Sequence, residues 1–465
     1  MPLRTTIFIL LAALSLQARF RAGAAVAGIT PEEWPVRVIG GFTLVLAQSA
    51  HDPLNVRALV VEEAGTRLAI AVIDSCYVKR EEMDEAKRLA SAKTGIPVAN
   101  MLISATHSHS APPSRAAEGD AREQRYVKRL VEQTAAAIGQ ANARLQPARI
   151  GFAVRMIPDE VFNRRWFMRE GAIGLNPYGE PGDKAKMNPG AGNKDLVHPA
   201  GPTDPGFSIV SIRAADGRPL ALLGNYSLHY VGGIGGNMLS ADYFGEFARQ
   251  VGTRLAPEDP NFVAILSNGT SGDVNNNDLI HPRPRAEPFA RIREVAAKLA
   301  GHALDAAKTV EYRDEAPVRV ARRELTLSYR KPTARQLEFA KAALQEPDES
   351  KLPIRAKAYA ERAIQLEKGP AAASIVLQAV RIGSFAIAAI PCETFTETGL
   401  TIKELSAVKP VFTIELANGH YGYLPTPRHY DLGGYETWLG TNNLEKEASV
   451  KITRTILELL QQVAP

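Results

Sequence analysis

Cysteine is nearly absent, with only Cys76 and Cys392 in a chain of 465 residues. Two cysteines so far apart cannot build a disulfide scaffold or a cysteine-based zinc finger. Two buried thiols are expected, with a single disulfide as the alternative. Membrane-length apolar runs are also missing. The run Ile7–Leu16 is ten residues long, well short of the ~20 that cross a bilayer. Charge of one sign is not in surplus either. The 55 Lys+Arg against 50 Asp+Glu leave a net +5, with no basic block. So diffuse an excess is no electrostatic footprint of nucleic-acid binding, and no nucleic-acid partner is expected. With 45% hydrophobic and 23% charged residues, the composition excludes a disordered, collagen-like or coiled-coil protein.

The start of the chain reads as an address. Arg4, the apolar run and the small residues Ala18 and Ala22 to Ala25 make a secretory signal peptide over residues 1–24, and export to the periplasm or the exterior is expected. From residue 25 onward, apolar runs alternate with amphipathic stretches. Strands are predicted at 56–61, 68–73, 100–106, 148–154, 207–213, 220–228, 262–267, 375–381, 385–390 and 411–416. Helices are predicted at 81–93, 122–145, 243–255, 291–309 and 445–463. The alternation predicts an α/β fold of mixed β-sheets covered by helices. Residues 166–204, rich in Gly, Pro, Asn and Lys, read as a long loop that shapes a pocket, and residues 334–368 as a peripheral helical insertion.

Chemistry gathers where predicted strands end. The apolar segment Ile103–Ala105 runs into Thr106-His107-Ser108-His109, and alternate residues of an extended chain share a face. The segment Ala221–Leu228 ends at His229, followed by a glycine-rich turn over 231–236. That turn lacks the Gly-Lys-Ser/Thr ending of a phosphate loop. Phe385–Ile390 ends at Pro391-Cys392-Glu393, and Val411–Leu416 leads to His420 and Tyr423. Two histidines, a glutamate and an open position make a catalytic zinc site, whereas a closed structural site more often uses cysteine. The turn Ser271-Gly272-Asp273-Val274 could present Asp273 to a substrate.

In their order, these pieces resemble neutral ceramidase, a secreted zinc amidase that cleaves the N-acyl bond of ceramide. The resemblance rests on Thr106-His107-Ser108-His109-Ser110-Ala111-Pro112, Asn225-Tyr226-Ser227-Leu228-His229, Gly272-Asp273-Val274, Pro391-Cys392-Glu393 and Tyr423-Leu424-Pro425-Thr426. Gly28-Ile29-Thr30-Pro31 and Tyr435-Glu436 extend it over residues 25 to 465. It implies Zn2+ as cofactor, with His107, His229, Glu393 and Tyr423 as ligands. It also implies His109 as the histidine that contacts the reacting group and Arg164 as an arginine that holds substrate. A lipid or other N-acyl amide substrate follows from the resemblance, and so does transient contact with a membrane surface. Two departures put ceramide itself in question. Asn275 stands where the family has serine after Gly-Asp-Val, with Ser271 as a neighbour that could stand in, and no β-sandwich domain follows residue 465.

The expected chemistry is amide hydrolysis by a metal-activated water, with Tyr423 stabilising the oxyanion and His109 protonating the leaving amine. A metallophosphoesterase or a lactamase-like hydrolase would need motifs in another order. A secreted, non-catalytic binding protein on the same scaffold is the alternative from outside the enzymes.

Overall fold

The computed structural model describes residues 20–465. Its core is built from two β-sheets packed face to face. The larger has eight strands: β1 (Arg21–Gly28), β2 (Asn55–Glu63), β3 (Thr66–Ile73), β4 (Met101–Ala105), β5 (Gln146–Met156), β6 (Gly206–Ala214), β7 (Pro219–Tyr226) and β8 (Val263–Asn268), in the order β8-β7-β6-β5-β1-β2-β3-β4. Its outermost pairs, β3 with β4 and β7 with β8, are parallel, and the pairs between them are antiparallel. The smaller sheet has four strands, β9 (Val318–Ser328), β10 (Ala372–Ile382), β11 (Phe385–Ala389) and β12 (Val411–Ile414), paired in that order with β11 and β12 parallel.

The period of two in the strands decides which layer each side chain enters. Leu68, Ile70 and Val72 of β3 pack between the sheets with Ile387 of β11 and Phe412 of β12. Their neighbours Ala69, Ala71 and Ile73 face outward onto helices α1 (Arg80–Thr94) and α2 (Ala121–Ala143). Helices α3 (Asp242–Leu255) and α4 (Ala290–Thr309) cover the far half of the same face. The closing helix Ala448–Val463 covers the outside of the smaller sheet. Four layers result, helix–sheet–sheet–helix, in agreement with the mixed sheets under helices that the alternation predicts.

Two strands of these two sheets escape the sequence reading. β1 falls inside the segment assigned to a signal peptide, yet Ala22, Ala24 and Ala25 are buried in the middle of the larger sheet and Phe20 is fully enclosed. The boundary at 24 therefore cuts a core strand, and the folded residues reach back to Phe20. The apolar run Ile7–Leu16 lies outside the described residues. The composition of β1 has a packing cause. A Cβ on Gly23 would stand 2.3 Å from the Ala141 carbonyl oxygen, so only glycine lets α2 lie this close. β9 was missed because its alternation is carried by arginines and a glutamate.

The segment 334–368 forms two helices, α5 (Ala334–Gln345) and α6 (Ala356–Lys368), peripheral to both sheets. They enclose a small core of their own with Tyr178 and Leu439. The stretch 166–204 is not without structure, since Arg165–Met168, Ala185–Met187 and Leu196–Pro199 form a three-stranded sheet. Cys76 and Cys392 are buried free thiols. Among the described residues, no helix is long and apolar enough to cross a membrane.

Candidate metal centre and catalytic cavity

His107, His229 and Glu393 come from three separate strand ends and meet at one point. The Nε2 atoms of His107 and His229 are 2.9 Å apart, and Glu393 Oε2 is 3.3 Å from His107 Nε2. Each imidazole is held from behind. His107 Nδ1 is 2.8 Å from the Cys76 carbonyl oxygen and His229 Nδ1 is 3.0 Å from the Ser271 carbonyl oxygen. A carbonyl only accepts, so both Nδ1 atoms carry a proton and the Nε2 atoms are the ones that face the cluster. Glu393 Oε1 accepts from His420 Nε2 at 3.2 Å, while Oε2 is buried with no donor. Two imidazole Nε2 atoms and a buried carboxylate oxygen thus converge on one point, with Arg164 Nη1 beside them at 3.2 Å from His229 Nε2.

The local backbone is bent to achieve this. His107 has φ +75°, in the left-handed region that a residue with a Cβ seldom adopts. Its N–H donates to the Ser75 carbonyl at 2.9 Å, which fixes the turn at the end of β4. Glu393 and Thr394 pair in parallel with Tyr423 and Leu424, so Glu393 and Tyr423 are register partners.

Electrostatics follow the same geometry. Burial penalises charge on His107, yet the Cys76 thiol and the Glu393 carboxylate draw its pKa well above the usual imidazole value. Burial, and then the His107 charge, hold His229 and His109 well below it. For Glu393, burial alone would raise the pKa, but His107 and then His420 outweigh it and keep the carboxylate ionised. An ionised carboxylate oxygen beside two imidazoles attracts a cation, and this N/N/O donor set suits a borderline divalent metal with a position left open. A second group, Cys76 with His107 and His109, also offers three ligand atoms. It would have to take His107 from the Nδ1 side, already occupied by the Cys76 carbonyl, or bend the thiol round to Nε2.

His109 joins the cluster from the cavity side. Its Nε2 is 3.1 Å from His107 Nε2, and its ring stacks on Tyr230 with centroids 3.9 Å apart. A Cβ on Gly40 would stand 2.7 Å from this ring, so the glycine is the floor against which His109 rests. Arg164 is buried. Its guanidinium donates to Glu436 Oε1 (3.0 Å), His229 Nε2 (3.2 Å), the Gly272 carbonyl (2.9 Å) and the Tyr423 hydroxyl (3.0 Å). Glu436 also accepts from Arg165 at 2.5 Å, so one carboxylate holds both guanidinium groups.

Asp273 does not face the cavity. Its carboxylate accepts from Asn163 Nδ2 (3.0 Å), Thr396 N (2.9 Å) and Thr396 Oγ1 (2.8 Å), and its carbonyl accepts from Arg164 N (2.9 Å). It is a clamp behind the centre. Gly272 permits the clamp, since a Cβ there would meet the Glu393 carbonyl oxygen at 2.5 Å. Asn275 is likewise turned away, donating to Asn188 Oδ1 at 2.6 Å. Ser271 lies behind His229, with Oγ 3.3 Å from Nδ1 and 2.5 Å from Glu415 Oε1. That position cannot serve a nucleophile facing the open side.

Glu415 is the residue the sequence reading missed. It is fully enclosed, accepts also from Thr394 N at 2.7 Å, and burial pushes its pKa up to about 8. It sits in the apolar run ending at Leu416, where a strand pattern gives no reason to single it out.

A cavity of about 580 Å³ opens over the centre, lined by His107, His109, Glu393, His420 and Tyr423. Its outer wall is Phe42, Tyr77, Lys79 and Tyr435, with Arg362, Gln365 and Leu366 of α6. No residue of 166–204 lines it, so the two-helix insertion, rather than that segment, shapes the pocket. The glycine turn 231–236 borders a separate hollow and is fixed by Asp242, which accepts from the N–H groups of Val231 and Gly232.

No family model matches this sequence, and no curated protein matches it significantly. Solved structures do match its fold. The neutral ceramidase from Pseudomonas aeruginosa superposes with a TM-score of 0.71 at 18% identity, covering 96% of this chain and 75% of that one. A ceramidase complexed with C2 gives the same TM-score and identity, with 96% and 76% covered. The chain has the neutral ceramidase fold.

Proposed function

We propose that this protein is a zinc-dependent amidase that hydrolyses an N-acyl bond, in ceramide or a related N-acyl amide. The observation that carries the reading is the convergence of His107 Nε2, His229 Nε2 and Glu393 Oε2, the last buried with no hydrogen-bond partner, on one point at the floor of an open cavity. Similarity in fold to proteins named as ceramidases supports the amide as the bond broken.

His107, His229 and Glu393 would hold the zinc, with Tyr423 beside Glu393 as the fourth group. Bound there, zinc supplies Lewis acidity and lowers the pKa of water from about 16 to about 7. The chain's own residues do the rest. His109, uncharged and facing the cavity, receives the proton that the attacking water gives up and returns it to the departing amine nitrogen. Arg164 donates to the Tyr423 oxygen, so the phenolic hydrogen is free to point into the cavity. That hydrogen can stabilise the oxyanion formed from the amide carbonyl, a contribution of about 3–4 kcal/mol for a well-placed donor. Atoms balance as one amide plus water giving one acid and one amine.

The apolar run Ile7–Leu16 supports export, with cleavage ahead of Phe20, because Phe20 belongs to the core. The catalytic reading is tested by amine release from N-lauroylsphingosine by the purified, zinc-loaded chain. His107→Ala should lose zinc and turnover together, and His109→Ala should keep zinc and lose rate. Equal turnover in all three proteins would refute it.

A further inference from the structure

We propose that the cavity over the metal centre takes an N-acyl compound with an anionic group near the scissile amide, an N-acyl amino acid being the simplest case. This rests on the amidase reading above and narrows its substrate.

The charge lining the cavity is one-sided. Among the described residues that form its wall, Glu393 is the one acid, and it is committed to the centre. Lys79 and Arg362 stand opposite with no carboxylate partner. Lys79 Nζ lies over the Tyr77 ring at 5.1 Å, with no hydrogen bond or ion pair among the described residues. Arg362 makes one long hydrogen bond, 3.4 Å to the Gly440 carbonyl, and otherwise packs its guanidinium over Phe42 and Tyr359 at 5.1 Å each. Both cations are half-buried. By contrast Arg125 pairs with Glu33 and Arg428 with Glu397. Glu81 and Glu82 act on Lys79 without an ion pair, and a half-buried cation that lacks a direct acid partner gains one when a ligand brings it.

Contacts tie both cations to the centre. Glu393 bonds to His420, His420 stacks on Tyr77 with centroids 4.2 Å apart, and Lys79 lies over Tyr77. On the other side, Tyr423 meets Tyr435 edge-on at 5.7 Å, Tyr435 meets Phe42 at 6.0 Å, and Arg362 covers Phe42. A guanidinium fork and an ammonium suit oxyanion recognition, whereas ceramide is uncharged. At the mouth, Arg355 also covers Phe42 at 3.8 Å, and Leu44 and Ile354, beside that contact in the chain, are each 68% exposed. Apolar surface beside cations fits an anionic amphiphile. In the reaction, the water oxygen bonds to the acyl carbon, the C–N bond breaks and the amine nitrogen gains a proton. The products are a fatty acid and an amino acid, with the anionic group unchanged.

The test compares kcat/KM for N-lauroylglycine, its neutral methylamide and N-lauroylsphingosine on the zinc-loaded full chain. The carboxylate should be preferred over the methylamide by about tenfold or more, the size of one charge-assisted hydrogen bond. That ratio should collapse toward one in Arg362→Gln, fall in Lys79→Gln, and recover in part in Arg362→Lys. The proposal is overturned if the neutral compounds are cleaved as well as the carboxylate and the ratio ignores both substitutions. If none of the three is cleaved, the amidase reading falls, and calorimetric binding of N-lauroylglycine decides the site. About tenfold weaker binding to Arg362→Gln would uphold the anion site, and equal binding would overturn it.

Discussion

His107 and His229 face each other through Nε2 atoms 2.9 Å apart, each ring donating its Nδ1 hydrogen to a backbone carbonyl behind it. With Glu393 Oε2 at 3.3 Å from His107 Nε2, the arrangement gathers three donor atoms where a cation would be held. Stability and metal binding must therefore be linked.

Adding zinc to metal-free protein should raise its melting temperature. At a hundredfold excess over Kd the stabilisation is about 2.7 kcal/mol, a shift of several degrees. Scanning calorimetry checks this, and Glu393→Gln should lose most of the shift.

Ser271 stands behind His229 and is itself held by Glu415. Ser271→Ala keeps the carbonyl that accepts from His229 Nδ1 and removes the 3.3 Å Oγ contact, so zinc affinity should weaken by about tenfold at most, the low end for a group behind a metal-binding histidine. Competition with a zinc chelator reads this directly, and the circular dichroism spectrum should not change.

Glu436 balances two buried arginines. Glu436→Gln leaves uncompensated charge in the interior and should cost about 3–5 kcal/mol. Denaturant unfolding measures it. The surface pair Arg125–Glu33 provides the contrast, since Glu33→Gln should cost less than about 1 kcal/mol.

Lys87 is buried with one partner, donating to Asn418 Oδ1 at 2.6 Å, and burial lowers its pKa from 10.5 to about 8. Between these two values the unfolded chain holds the proton and the folded chain does not. The Lys87 contribution therefore makes stability rise with pH across that window, at up to about 1.4 kcal/mol per unit. Below about pH 8 the penalty of a buried charge is present in full. Urea midpoints at several pH values should show the rise, and Lys87→Met should flatten it.

Much of the centre could be read from the sequence because its ligands stand just beyond strands, where a period-two apolar pattern stops and a polar residue becomes conspicuous. His107, His229 and Glu393 stand out for that reason. Glu415 does not, because it occupies a core position whose partners, Ser271 and Thr394, are distant in sequence. Asp273 looked like chemistry but is a clamp. A short acid in a glycine turn has the same sequence signature whether it faces substrate or backbone N–H groups. β1 was hidden because close approach of α2 demands alanine and glycine, which local propensity does not assign to strands. The insertion 334–368 was legible as helices, but not as a cavity wall, because Arg362 meets Phe42 across more than 300 residues of chain.

The central claim is that His107, His229 and Glu393 hold the metal. X-ray absorption at the zinc edge of the loaded protein tests it most directly. The account predicts nitrogen and oxygen neighbours at about 2.0–2.2 Å and no sulfur. A sulfur neighbour at about 2.3 Å would assign the metal to Cys76 with His107 and His109, and would contradict it.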